Sequence, residues 1–143
     1  MKPIPHAEHR YPTVGDWQFS QEGTLLVLAS DLGDPAMTLL VLVHELIEST
    51  LCCFRGIAEP SVTAFDIAYE KERDAGQHTD DDEPGDDPRA PYRREHRFAE
   101  LIERLLAHEL KVDWQEYERR IDALFKNIPL RNNTWASAGE GVS

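Results

Sequence analysis

Residues 38–54, T-L-L-V-L-V-H-E-L-I-E-S-T-L-C-C-F, form a long apolar run interrupted by only three ionisable side chains. A run this uniformly apolar predicts a helix buried on several faces rather than a surface helix with one apolar stripe. The interruptions are His44, Glu45 and Glu48. Placing an imidazole and two carboxylates there costs several kcal/mol unless they are paired, hydrogen-bonded or bound to a cation. The remainder of the chain has to satisfy them.

His44 and Glu48 are four residues apart, so both project from one face and can share a cation. Glu45 lies one step round the helix, close enough to hydrogen-bond a water on that cation. The order His44-Glu45-Leu46-Ile47-Glu48 resembles the H-E-x-x-H zinc helix of the metallopeptidases known as zincins, with Glu48 where that motif has its second histidine. The resemblance implies His44 and Glu48 as ligands and Glu45 as the general base. A third ligand must come from elsewhere, and His96, at the edge of a later helix's apolar arc, is the first choice. Glu95, Asp66, Glu70 and Glu103 stand in reserve, as further ligands or as groups that hold the ligands in place. Two histidines and a glutamate suit Zn²⁺, whereas convergence of several carboxylates would suit Mg²⁺ or Mn²⁺. The competing reading pairs Glu45 and Glu48 with an arginine such as Arg94 or Arg97, and His44 with a buried carboxylate. His6, His9, His78 and His108 are expected at the surface.

Around this helix the pattern predicts a mainly α fold of the α+β kind, a four-helix core with a small N-terminal β-hairpin. The chain is expected to be a single domain, 1–143, with an extended lead-in at 1–15, an acidic loop at 74–91 and a flexible tail at 128–143. Apolar runs at 17–20 and 24–30, separated by Gln21-Glu22-Gly23, predict the hairpin. Asp34 and Pro35 are suited to open the first helix, and Gly56 to close it near residue 55. Ser61 can cap a second helix through about residue 73. In a third helix, 91–111, Phe98, Leu101, Ile102, Leu105 and Leu106 recur with helical period and are expected to face inward. Asp113 and Glu116 open a fourth like a capping box, which should bury Trp114, Tyr117, Ile121, Leu124 and Phe125. Asp80, Asp81, Asp82, Glu83, Asp86 and Asp87 crowd around Pro84, Gly85 and Pro88, and such a run reads as a solvated loop. Its carboxylates folding over the site as a lid is the other reading.

Charge narrows the partners. With 27 acidic against 15 basic residues among 143, the net charge is −12, which argues against nucleic acid or an anionic membrane as the principal partner. Cys52 and Cys53 are adjacent, too close to bridge each other readily, and read as reduced core residues of a cytoplasmic protein. The opening M-K-P-I-P-H-A-E-H-R has no apolar segment of the signal-peptide kind.

Over residues 12–125 the chain resembles a family of small, uncharacterised tailed-phage and prophage proteins. The likeness rests on Ser30-Asp31-Leu32-Gly33-Asp34, His44-Glu45-Leu46-Ile47-Glu48, Arg55-Gly56-Ile57, Phe65-Asp66, Asp82-Glu83-Pro84-Gly85-Asp86, Glu95-His96-Arg97-Phe98-Ala99 and Asp113-Trp114. It implies action in a bacterial cytoplasm and supplies no activity. The leading expectation is a metal-dependent hydrolase acting on a small molecule or peptide through a metal-bound water. A non-catalytic acidic accessory protein, inhibiting a host protein target such as a defence factor and held together by a structural metal or a salt-bridge cluster, is the second. The third is an all-α nucleoside triphosphate pyrophosphohydrolase, which needs E-x-x-E followed by E-x-x-D; Glu45 and Glu48 supply the first half, and Glu70 and Asp74 miss the second by one residue.

Overall fold

The structure, a computed structural model, describes residues 1–126. The tail expected at 128–143 lies outside the described residues. Three strands and four α-helices follow one another as β1 (Lys2–Ile4), β2 (Gly15–Phe19), β3 (Leu25–Ser30), α1 (Pro35–Phe54), α2 (Glu59–Asp74), α3 (Arg93–Glu109) and α4 (Trp114–Lys126). The protein is thus mainly α with a small N-terminal sheet.

The expected hairpin is β2 and β3, paired antiparallel with Gly15 opposite Ala29 and Phe19 opposite Leu25. The lead-in adds what periodicity could not show. Lys2–Ile4 pairs parallel to β3, giving the sheet order β1-β3-β2. A three-residue strand containing a proline has no readable alternation, and Pro3 is tolerated there because β1 is an edge.

Helix α1 opens as its sequence demands: the Asp34 carboxylate accepts hydrogen bonds from the amides of Ala36 and Met37 at 2.9 and 3.1 Å. It closes at Gly56, whose φ of +72° lets its own amide reach the Cys53 carbonyl and that of Ile57 the Cys52 carbonyl. Between these caps it packs on the sheet and on α3, with Met37, Leu40, Val41, Leu42 and Cys52 buried in a core shared with Trp17, Val27, Ala29 and Tyr117. Among the described helices α1 alone is long and apolar enough to cross a membrane. Here its inner face serves as the core. Helix α2 begins at Glu59, with Pro60 in its first turn, rather than at Ser61; proline's fixed φ suits that turn.

Helix α3 departs from expectation. Its buried positions are Glu95, His96, Ala99, Glu103 and Ala107, while Phe98, Leu101 and Leu105 are 47, 53 and 59% exposed. Ile102 and Leu106 lie between, half-buried. Periodicity locates an amphipathic helix but leaves open which side turns inward. In this helix the small and paired polar residues do. In α4, Tyr117 is buried as expected, Trp114, Ile121 and Leu124 are half-buried, and Phe125 is 39% exposed. Arg120 ties α4 to the β3–α1 turn by donating to the Leu32 carbonyl at 3.1 Å.

The acidic loop is held in place by arginines from outside its densest stretch. Arg73 donates to the carbonyls of Thr79 and Asp82, and Arg89 bridges Asp87 and Glu72. A short 3₁₀ turn, Pro84–Asp86, then lays Gly85 against α3.

One joint carries backbone strain. Lys111, between α3 and α4, has φ of +56°, and the Val112 amide bonds the Ala107 carbonyl at 2.9 Å to close α3. Side chains beyond glycine are disfavoured in that conformation by roughly 1–2 kcal/mol. Lys111→Gly is therefore expected to raise unfolding free energy by about 1 kcal/mol, read as a higher urea midpoint with unchanged slope. A lower midpoint would contradict this account of the joint.

Candidate metal centre

Helix α1 contributes His44 and Glu48 one turn apart, and α3, antiparallel to it, contributes His96. His44 Nε2 stands 3.3 Å from Glu48 Oε2 and 3.1 Å from His96 Nδ1, and His96 Nδ1 is 3.1 Å from the same Glu48 oxygen. All three residues are buried. Ligands at about 2.0–2.1 Å on a tetrahedral zinc are about 3.3 Å apart. The triangle therefore has nearly the dimensions of one face of such a tetrahedron, and two imidazole nitrogens with a carboxylate oxygen form a donor set that favours zinc over magnesium.

Each donor is oriented from behind. Trp17 Nε1–H donates to Glu48 Oε1 at 3.2 Å. His96 Nε2 faces Glu83 Oε2 at 3.1 Å and Asp86 Oδ1 at 3.8 Å. His44 Nδ1 faces Glu103 Oε2 at 3.5 Å. Ionised carboxylates only accept, so the ring protons belong on those outer nitrogens. Toward Glu48, an acceptor as well, His44 Nε2 and His96 Nδ1 either donate as N–H groups of protonated rings or, with a cation between them, turn lone pairs to it. Carboxylate behind imidazole is the arrangement that fixes metal-binding histidines.

Charge points the same way. Burial opposes protonation of His96, yet Glu48 and Glu83 outweigh it and raise its pKa to about 10. Burial likewise opposes protonation of His44, and Glu103 with Glu48 drives its pKa well above the ordinary value. Glu48, which burial would raise, is held at about 2 by the two imidazoles. The centre thus requires positive charge. If two protons supply it, both inner N–H groups crowd one carboxylate oxygen across a 3.1 Å nitrogen–nitrogen gap. A single divalent cation supplies the same charge without that opposition.

The triangle opens on a cavity of about 640 Å³ also lined by Tyr11, Gly15, Glu45, Asp66 and the 80–85 loop. Glu45 packs against Gly15 of β2, where a Cβ would come within 2.5 Å of its Oε1. Burial, augmented by Glu48, pushes its pKa well above the carboxylate range. The other buried acids have partners. Arg10 bonds Asp16, the hydroxyls of Tyr11 and Tyr92 donate to Asp66, Arg73 bonds Glu70 and Arg55 bonds Glu95. Glu45 has no hydrogen bond or ion pair among the described residues.

The structure therefore gathers His44, Glu48 and His96, places Glu45 beside them, and puts Glu103 behind His44. Glu95 and Glu70 are engaged by arginines, and Asp66 by two tyrosines in the cavity wall. Glu70 and Asp74 do not line the cavity with Glu45 and Glu48. Arg94 and Arg97 are exposed and bond neither glutamate of α1. Of the remaining histidines only His108 is exposed; His6 and His9 meet the Ser30 hydroxyl, and His78 stacks on Tyr69. Sequence reasoning missed Trp17 and the two contact glycines, Gly15 and Gly85. The Gly85 position leaves 2.3 Å between a would-be Cβ and the His96 ring. Glu83 was legible as part of a lid, but its target was not.

No family model, no curated protein and no solved structure matches the chain.

Asp66 offers a pH-dependent readout of this packing. Burial lifts its pKa from 3.8 to about 8 against the two tyrosine hydroxyls. Because the folded state holds this proton more tightly than the unfolded one, the resulting stability is complete below about pH 4 and is lost as pH rises through about 8. In chelator-treated protein, Asp66→Asn is expected to flatten the fall of unfolding free energy across that window, by up to about 1.4 kcal/mol per pH unit. Denaturant titrations at several pH values would show it, and identical slopes for both proteins would refute it.

Proposed function

We propose that the protein is a metal-dependent hydrolase in which His44, Glu48 and His96 hold a zinc ion and Glu45 acts as general base. The observation that supports this most directly is the triangle of donor atoms, 3.1–3.3 Å on each edge, buried and backed by carboxylates. Bound zinc supplies Lewis acidity, lowering the pKa of water and polarising a carbonyl or phosphoryl oxygen. Glu45 is placed to take the proton of an attacking water. Trp17 fixes the Glu48 carboxylate, and Glu83 and Glu103 fix the two rings.

The cavity volume suits a small molecule or a short peptide segment. Its wall carries Asp80, Asp81, Asp82 and Glu83 of the acidic loop, which repel phosphate groups. An amide or related neutral bond is therefore the favoured target over a phosphoester. Two free cysteines, one exposed, favour action in a reducing compartment such as the bacterial cytoplasm.

Protein purified without added metal is expected to carry about one zinc per chain by elemental analysis, and His44→Ala to lose it. Glu45→Gln should retain the metal while reducing hydrolysis in a panel of chromogenic amides and esters by roughly 10²–10⁴-fold. Metal retained with no Glu45-dependent hydrolysis would leave a structural ion. Failure to bind any divalent cation would end the reading.

The lid makes a separate expectation. Glu83→Gln weakens the hold on the outer nitrogen of His96 and should lower zinc affinity by roughly 10–100-fold, measured by competition with a chromogenic chelator. Gly85→Ala, which drives a methyl into the His96 ring, should lower it at least as far.

A further inference from the structure

The cavity beside the donor triangle has a charge pattern of its own, set between the acidic loop and α4. Glu118, Ile121, Asp122 and Phe125 recur at spacings of three and four, so a single face of α4 lines the cavity. Asp80, Asp81 and Asp82 line it from the loop, and the buried Val41 and Val62 join Ile121 and Phe125 as its apolar wall. Carboxylates at the mouth and hydrocarbon between them suit a ligand that is charged at one end and aliphatic behind it.

Several of these acids are satisfied within the fold. The Asp82 carboxylate accepts from the Thr79 amide at 2.9 Å, Glu118 from the Trp114 indole at 2.8 Å, and Glu83 faces His96. Asp80, Asp81 and Asp122 make no hydrogen bond or ion pair among the described residues. They are near enough to feel one another, since burial raises the pKa of Asp122 and the charges of Asp81 and Asp80 add to it. Of the bases lining the cavity, Arg73 is held by Glu70 and by two loop carbonyls, and Lys126 offsets Asp122 only in part. Further in, the Glu45 carboxylate lines the same space, desolvated and without a partner. A concave mouth with surplus charge of one sign concentrates ligands of the other.

Reach connects this mouth to the triangle. Glu83 Oε2 is 3.1 Å from His96 Nε2. Asp81 lies two residues earlier, at most about 7 Å of extended backbone away. One long side chain spans that separation.

We propose that the cavity takes substrates bearing a cationic side chain of the arginine or lysine kind, its charge held by Asp80, Asp81 and Asp122 and its stem lying along Ile121 and Phe125. The amide next to that side chain then comes to the donor triangle. What happens to the amide rests on the hydrolase reading; the binding of the cation does not.

Isothermal titration calorimetry of Glu45→Gln protein, which separates binding from turnover, compares the Nα-acetyl amides of arginine and lysine with that of citrulline, the uncharged isostere of arginine. The cationic amides are expected to bind about tenfold more tightly, from a few partly exposed ion pairs of modest strength, and the difference should shrink as salt is raised. Combining Asp80→Asn, Asp81→Asn and Asp122→Asn should abolish the preference while leaving citrulline amide binding and helical circular dichroism unchanged. A preference for only one of the two cations supports the proposal and identifies the group. Equal affinity for charged and neutral amides, a preference untouched by the triple substitution, or binding of none of the three overturns it. Charge preference in protein that hydrolyses no amide leaves the cation site standing and ends the hydrolase reading; Glu45-dependent hydrolysis with no charge preference does the reverse.

Discussion

A carboxylate in the middle of the core helix governs how the other elements are placed. Glu48 is 4% exposed, and removing an ionised carboxylate from water costs several kcal/mol even after a protein relaxes around it. No arginine among the described residues reaches it. Its oxygens are instead met by the indole N–H of Trp17 from β2, by His44 one turn earlier in α1, and by His96 from α3. Two elements distant in sequence, β2 and α3, converge on an acid of α1. Each imidazole drawn in then needs a carboxylate of its own, Glu83 or Glu103, and Glu83 can arrive only if the acidic loop folds back over α3. The lid follows from the core.

This chain of requirements explains what could be read in the sequence. Helix α1 is legible because apolar continuity, the Asp34-Pro35 start and the Gly56 stop all agree. The pair His44 and Glu48 is legible from spacing, and His96 from its place at the margin of an amphipathic arc. The orientation of α3 is not. A hydrophobic period has no sign, and the usual assumption that the apolar side goes inward fails where the inward side carries Glu95, His96 and Glu103 with partners waiting. The acidic loop misleads for a related reason. Composition counts its six acids but does not reveal that Arg73 and Arg89 reach it from outside that stretch.

Gly15 and Gly85 show another limit. In sequence each looks like punctuation, one before a strand and the other inside a Pro-Gly turn. In the structure each lets a functional side chain lie directly on backbone, Glu45 on β2 and His96 beneath the lid. Close approach of this kind narrows the positions open to the side chain. It therefore preorganises a donor or a base more firmly than a flexible contact would. The requirement for glycine belongs to the neighbour, so it leaves no local trace.

The inner and outer faces of α3 are consequences of one choice. Turning Glu95, His96 and Glu103 inward supplies the acid of α1 with its nitrogen partner and that partner's neighbour with its support, but it turns Phe98, Leu101 and Leu105 to the outside. A helix that rolled to bury the leucines would withdraw His96 from Glu48 and leave both charges without compensation. The apolar row is left exposed among the described residues. The polar centre and the exposed apolar row lie on opposite sides of the same helix: the first fixes the rotation of α3, and that rotation creates the second.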